Sequence, residues 1–327
     1  MSQELSIGIV IPSYNEGQDL VNTLKTIFNQ SSPFTEVIVV DDSSDGTDRL
    51  VADTFGERVK LIHRDRALGR SSARNVGVQR ATSDVVVILN ADVSLPHNFC
   101  EQVKQKYTHE NCDALGVELV VTNIQHPYPR YRYAMHLTYY TGKGGWTEGF
   151  SVRREAFLKT NGFPDGYILP ILAGEDVKFV RDLERTGAKI CFDYNLKVST
   201  VTPEDAAEIT SQLRGRASLR TLYFVYDKSW VALLLRCLFK HLRRIVVVGT
   251  VIPVFCQVFW LWVHFNHGWQ DLAHYAKYVL YEKWLRSRQE WLDLAMFFKL
   301  YRQKGFSVVD IIFKRPSQLI ATAPVHD

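Results

Sequence analysis

Neither a GxGxxG run nor a GxxxxGK(S/T) loop occurs in this chain of 327 residues. Without them there is no signature of a dinucleotide fold or a phosphate loop. Cysteine is scarce and scattered. Cys100, Cys112, Cys191, Cys237 and Cys256 are odd in number and lack metal-ligand spacing. They read as reduced, buried thiols in a cytosolic setting. Excess charge is missing as well: a net charge of +4, with no RNA- or DNA-reading motif, excludes nucleic acid as the expected partner. The N-terminal stretch carries Glu4 and only a short apolar run, Ile7 to Ile11, which does not read as a signal peptide. Internal repeats and low-complexity segments are absent.

What is present is a core-forming composition, 46% hydrophobic and 23% charged. Its length suits one large domain or two. The most informative stretch is Val37-Ile38-Val39-Val40-Asp41-Asp42-Ser43-Ser44-Asp45-Gly46-Thr47-Asp48. Four apolar residues run into a carboxylate pair and a polar turn. That pattern suits a strand buried on both faces of a parallel sheet, with its acids at the carboxyl end where ligands bind. Adjacent acids repel unless something holds them, so Asp41 and Asp42 either meet a ligand or metal or cap the next helix.

Strands predicted at residues 6–11, 36–40, 59–63 and 84–90 alternate with helices at 16–29, from about 46, and at 71–80. Such alternation implies right-handed crossovers and a parallel sheet covered on both faces. Later strands are expected at 114–121 and 146–152, with mixed direction open to them, then a helix over 174–186 and a strand from 189.

Three further clusters carry chemistry. Pro12 and Tyr14, with Glu16 after them, end the first strand and suit a nucleobase or ribose; the plain alternative is a turn capped by Asn15. Arg70 and Arg74 fall on one face of a helix whose N-terminus favours diphosphate oxygens. Asn90-Ala91-Asp92 puts two oxygen donors on one side of an extended segment, fit for Mg²⁺ or Mn²⁺ together with phosphate oxygens, unless it is a solvated turn. By spacing alone, Glu175 and Asp176 are equally a general base or a helix-terminal pair.

In order, IPSYNE, VVDDSSDGT, LGRSSARNVG, LNADVSLP, GFSVRREAFLKTNGF and AGEDVKFVRDL, over about residues 5–200, resemble glycosyltransferase family 2. The resemblance implies the GT-A fold: a Rossmann-like, mostly parallel central sheet with flanking helices. It also implies an inverting enzyme that moves a sugar from a nucleotide diphosphate to an acceptor. Carried over, Pro12, Tyr14 and Glu16 match the first nucleotide-contacting loop. Asp42, with Asp41 beside it, matches the acid at the base or ribose, and Arg74 lies near the diphosphate. Asn90, Ala91 and Asp92 stand where the family has Asp-x-Asp, with Asp92 the direct metal ligand. Asn90 departs from that pattern; it keeps an oxygen donor but loses a charge, which weakens metal affinity or shifts the ligand set. Asp176 becomes the first choice for general base and Glu175 the second.

Beyond about residue 212 the character changes. Residues 1–212 read as the catalytic domain. Residues 213–327 read as a basic connector, hydrophobic membrane segments at about 230–265 and amphipathic interfacial helices. A basic knot of Lys240, His241, Arg243 and Arg244 precedes the nearly apolar run Ile245 to Phe265, a length adequate to cross a bilayer. Basic flanks on both sides favour a hairpin or non-spanning insertion, with the catalytic part on the cytosolic side. Residues 269–304 suit a helix lying on the membrane surface. The segment from Tyr128 to Tyr140, rich in Tyr, Arg and His and followed by a glycine-rich hinge at 142–145, suits sugar stacking, an amphipathic lipid acceptor or an aromatic helix packed on the sheet. Arg214, Arg216 and Arg220 face lipid phosphates or solvent.

The expected activity is therefore hexose transfer, mannose favoured, from GDP-mannose or a UDP-sugar to a polyprenyl phosphate or glycolipid, with membrane lipids as further partners. The soluble part resembles polyprenyl-phosphate hexose synthases, the dolichol-phosphate mannose synthase group among them. Rival readings are transfer to a soluble or cell-surface glycan with the tail as a mere anchor, and a catalytically silent binding protein.

Overall fold

The computed structural model describes residues 5–139, 147–165, 173–204, 206–217, 235, 238–239, 248–265 and 268–304. The basic knot at 240–244, the hinge at 142–145, Tyr140, Arg220 and Cys237 lie outside the described residues. Eight strands form one sheet: β1 (Ile7–Ser13), β2 (Glu36–Asp41), β3 (Lys60–His63), β4 (Val85–Ile88), β5 (Val93–Ser94), β6 (Ala114–Val121), β7 (Phe150–Arg153) and β8 (Ile190–Thr200). Their order is β3-β2-β1-β4-β7-β6-β8-β5. β1 to β4 are mutually parallel; β7 runs antiparallel to β4 and β6, and β5 antiparallel to β8. The expected mixed direction of the later strands is thus present.

Alternation along the parallel strands builds two cores. Ile9, Ile11, Val37, Val39, Val85 and Val87 point to one face, where α1 (Gly17–Phe28) lays down Leu20, Val21, Leu24 and Ile27. There α2 (Thr47–Phe55) adds Val51 and Phe55, and α4 (Phe99–His109) adds Phe99 and Val103. Val10, Ile38, Val40, Val86 and Ile88 point to the other. α3 (Arg70–Arg80), α6 (Arg154–Leu158) and α7 (Glu175–Arg185) cover them with Ala73, Val78, Phe157 and Phe179. Each large aliphatic side chain so buried contributes about 1.5–3 kcal/mol. α3 lies unusually close to the sheet: a Cβ on Gly77 would sit 2.2 Å from Val10 Cγ1. That approach draws the arginine face of α3 against the strand ends.

A third core forms beside the sheet. α5 (Pro127–Tyr139), α8 (Ala206–Ala217), α9 (Val248–Phe265) and α10 (Gln270–Lys304) bury Tyr128, Tyr131, Leu213, Leu261, Tyr275 and Val279 together. Tyr131 stacks on Tyr278 at 5.5 Å, and Arg130 donates to Asp271 at 2.7 Å. Of the readings open for the segment from Tyr128 to Tyr140, the packed aromatic helix is the one observed over its described residues: it meets β6, with His136 Nε2 2.7 Å from Glu118 Oε1, and it also packs on the C-terminal helices. The expected boundary at 212/213 falls inside α8. Among the described residues no helix is long and apolar enough to cross a membrane.

The thiol reading needs correction. Cys112, just before β6, and Cys191 in β8 form a disulfide, closing a separation of 79 residues. Scattered positions in the sequence hid a pair that the β6–β8 ladder brings together, with Leu115 opposite Cys191. Cys100 stays a buried free thiol, while Cys256 is free and exposed.

Candidate active site

The carboxyl ends of β1, β2 and β4 converge at one edge of the sheet, and two acidic clusters form there. The first lies between β1 and β2. Asp41 is fully buried. It accepts a hydrogen bond from Ser43 Oγ at 2.5 Å and pairs with His63 Nδ1 at 3.0 Å. Asp42 meets Arg64 side-on, Nε at 2.5 Å and Nη2 at 2.7 Å, and accepts the Leu68 N–H at 3.0 Å. The repulsion expected between the two acids is thus answered within the protein.

Asn15, in left-handed conformation with φ 57°, ties this cluster to the first loop. Its N–H donates to Ser43 Oγ at 2.7 Å, and its side-chain oxygen accepts the Ser44 N–H at 2.9 Å. These bonds compensate the cost of αL backbone. Tyr14 stands 57% exposed at the loop apex, free to stack on a planar ligand. Pro12 is different. It is buried inside β1 opposite Val40, so the structure makes it a strand residue and not part of an opening.

The second cluster joins α3, β4 and α7. Arg74 is 1% exposed. Its Nη1 donates to Glu175 Oε1 at 3.0 Å, its Nη2 to Asn90 Oδ1 at 2.8 Å, and its Cζ lies 5.2 Å from the Phe163 ring centroid. Arg70 Nε reaches the same Glu175 oxygen at 2.5 Å. Burial works to raise the Glu175 carboxyl, but the two guanidiniums outweigh it and hold the group below the usual carboxylate range. Two expectations change here. Arg74 is a buried clamp and not a free diphosphate ligand. Glu175, expected as a second candidate for the base, has both carboxylate oxygens engaged by Arg70 and Arg74.

Asp176 is the opposite case. Burial, then the negative charges of Glu175 and Glu148, push its carboxyl up to about 7. No side chain caps the N-terminus of α7, and among the described residues Asp176 accepts the adjacent Val177 N–H, at 2.8 Å. Its environment is that of a proton acceptor poised near neutrality. Asp92 is raised to about 6, by burial and then by Glu148. Glu16 is raised to about 7, by burial and then by Asp92. Ala91 presents nothing to this pocket; it is buried in the core, and its carbonyl accepts from Thr23 Oγ1 at 2.6 Å.

The family model described as glycosyl transferase family 2 matches residues 8–164, the segment that supplies both clusters apart from α7. The chain carries a family 2 glycosyltransferase domain. Its sheet order and flanking helices are those of a GT-A-like fold. Glycosyltransferase GlyG of Streptococcus pneumoniae is 29% identical to it over 112 residues, 33% of this chain and 37% of that protein. Succinoglycan biosynthesis protein ExoO of Rhizobium meliloti is 32% identical over 120 residues, 36% of this chain and 33% of that protein. The matched segments thus span about a third of these curated relatives. A solved structure, mannosyltransferase PcManGT from Pyrobaculum calidifontis in complex with GDP-Man and Mn²⁺, superposes with a TM-score of 0.52 at 18% identity. It covers 95% of this chain and 85% of that one.

The family 2 domain contains one acidic group that sequence reading missed. Glu148 precedes β7; its Oε1 accepts from Asn90 Nδ2 at 3.2 Å, while its Oε2 is buried without a partner among the described residues. An acid immediately before the GFSVRRE motif was the available signal. A divalent cation fits this lining: desolvated carboxylates repel one another, and one buried oxygen lacks a donor. Among the described residues the three-ligand groups are Asp41, Asp48 and His63, and Glu110, Cys112 and Cys191. The latter sulfurs are spent in the disulfide, and Asp41 is already paired. A cation near Asp92 would thus take few protein ligands and complete its shell with phosphate oxygens, as Mg²⁺ commonly does.

Proposed function

We propose that the chain is an inverting glycosyltransferase that moves a hexose from a nucleotide-diphosphate sugar to a membrane-lipid-linked acceptor. The observation that carries this reading is Asp176, a carboxyl at the start of α7 held near neutral pKa and, like Asp92, raised by the charge of Glu148 within reach of the family 2 domain. The nucleotide would lie along the β1–β2 edge, its base or ribose against Tyr14 and the Asp42–Arg64 pair. Asp176 accepts the acceptor hydroxyl proton as that oxygen forms its bond to the anomeric carbon. The bond from that carbon to the diphosphate breaks on the opposite face, which inverts configuration. Arg70 and Arg74 hold Glu175, and through it fix the first turn of α7. Asp92 would hold a Mg²⁺ or Mn²⁺ ion. When bound, the ion supplies positive charge against the leaving diphosphate.

The acceptor to test first is a sugar hydroxyl of a glycolipid, because the step above takes its proton from a hydroxyl; a polyprenyl phosphate is the second. Mannose is the hexose to test first; PcManGT was solved with GDP-Man and Mn²⁺. Membrane attachment is supported by α9, where Val251, Ile252, Phe255, Phe259, Trp260 and Val263 recur at helical spacing and are all exposed. On α10, Leu280, Trp284 and Trp291 lie exposed among Lys277, Arg286 and Arg288. We assign the catalytic part to the cytosolic side, from the basic flank at 240–244.

The test is a thermal-shift screen of GDP, UDP and their sugars with and without Mn²⁺ in detergent, followed by transfer assays on glycolipid, polyprenyl phosphate and soluble glycan. Stabilisation by a nucleotide diphosphate and transfer to the glycolipid are expected. Transfer to soluble glycan alone would reject the lipid acceptor, and no stabilisation by any nucleotide would reject the donor class.

A further inference from the structure

Asn90 brings no negative charge to a cation. Its carbonyl oxygen accepts from Arg74 at 2.8 Å. Its amide nitrogen has no lone pair to give and instead donates to Glu148 Oε1 at 3.2 Å. Glu148 is thereby bracketed at the tip of β4, from 58 positions further along the chain. The Gly149 N–H, bonded to the Ile88 carbonyl at 3.1 Å, fixes the same point. Gly149 has φ +78°, and a Cβ there would meet Val198 Cγ1 at 2.9 Å, so glycine is needed to deliver Glu148 to this place. The second carboxylate oxygen, Oε2, is shielded from solvent and unpartnered among the described residues. A shielded carboxylate left half-satisfied is costly until a cation or donor completes it.

We propose that Glu148 supplies the carboxylate that Asn90 lacks, so that Glu148 and Asp92 together hold the divalent cation of the donor site. This rests on the reading of the pocket as a nucleotide-sugar site. Asn90 then becomes a positioning residue: it links the buried Arg74 to Glu148 and aims Oε2 towards the ion. An acid at position 90 would set a second negative charge against Glu148, whereas the neutral amide joins cation and anion without that repulsion. The departure from the family pattern is thus compensated within the same pocket.

The test is titration of the whole chain with Mn²⁺ in the presence of GDP or UDP, reading free Mn²⁺ by electron paramagnetic resonance. Nucleotide binding without metal is followed by calorimetry, and folding by circular dichroism. Glu148→Gln keeps the shape and the bond from Asn90 but removes the charge. It is expected to weaken Mn²⁺ binding by about tenfold or more. Asn90→Asp combined with Glu148→Gln moves the carboxylate back to position 90 and is expected to restore affinity to within about threefold of the parent. Parental Mn²⁺ affinity in Glu148→Gln would overturn the proposal. Should that single variant fail to fold, the double variant decides, and absence of Mn²⁺ binding in it counts against the proposal. A parent chain that binds nucleotide but no Mn²⁺ overturns the cation assignment alone. A parent chain that binds neither overturns the donor-site reading with it.

Discussion

Arg74 Nη1 and Glu175 Oε1 meet at 3.0 Å although 101 positions separate them in the chain. Both side chains are almost wholly shielded, at 1% and 4% exposure. This contact fastens α3 to the start of α7 and so sets where Asp176 stands.

Breaking that contact from one side leaves a buried charge unpaired. Glu175→Gln is expected to cost about 3–5 kcal/mol of stability. Urea unfolding followed by circular dichroism measures it. Arg70→Gln, at a half-exposed position, should cost under about 1 kcal/mol.

Asp176→Asn removes the proposed proton acceptor and keeps the size of the side chain. Turnover is expected to fall by about 10²–10⁴ with donor KM kept within a few-fold. The parent rate should decline as pH falls below about 7, where the carboxyl protonates, and this limb should vanish in the variant. The stability effect has the opposite sense. A carboxyl raised from 3.8 to about 7 stabilises the fold fully below the lower value and loses that contribution as pH rises through the upper one. Asp176→Asn should therefore gain on the parent between pH 4.5 and 8, on the order of 2 kcal/mol in ligand-free protein. Parallel melting curves across that range would contradict this.

The Cys112–Cys191 bond closes a 79-residue separation. By loop entropy it is expected to contribute up to about 4.5 kcal/mol. Comparing denaturation midpoints with and without dithiothreitol measures that contribution. Mass spectrometry of the unreduced protein, taken straight from the host, reports whether the bond forms where the protein resides.

Phe255 and Trp260 are 67% and 48% exposed on α9. Replacing both by Ser removes about 2 kcal/mol of apolar burial for each if that face enters lipid. Vesicle co-sedimentation should then fall by well over tenfold, with nucleotide binding retained. Unchanged sedimentation would dismiss this surface as the membrane contact.

The parallel strands were legible because each is a short apolar run ending in a polar turn. The runs at 36–40 and 84–90 became β2 and β4 with small shifts at their ends. Asp42, Asp92 and Asp176 could be chosen because motif order fixed them at strand and helix ends. Partnership was not legible. Whether Glu175 is a base or a clamp depends on Arg70 and Arg74 arriving from another helix, and pattern within one segment carries no trace of that. Glu148 was missed for the same reason: its meaning depends on Asn90 having an amide. β5, two residues long, has no periodicity to read. The aromatic segment at 128–139 was visible as unusual, yet its partner lies more than a hundred residues downstream.

On α10 the acids turn inward and the tryptophans outward. Asp271 and Glu282 are 3% and 4% exposed, held by Arg130 and Arg132 of α5, while Trp284 and Trp291 are 55% and 54% exposed. Cutting this helix away would take Asp271 and Glu282 from Arg130 and Arg132 and uncover Tyr128 and Tyr131. α9 and α10 are consequently part of the same packed body as α5, and a shortened version that loses activity would report a collapsed flank before it reported anything about lipid.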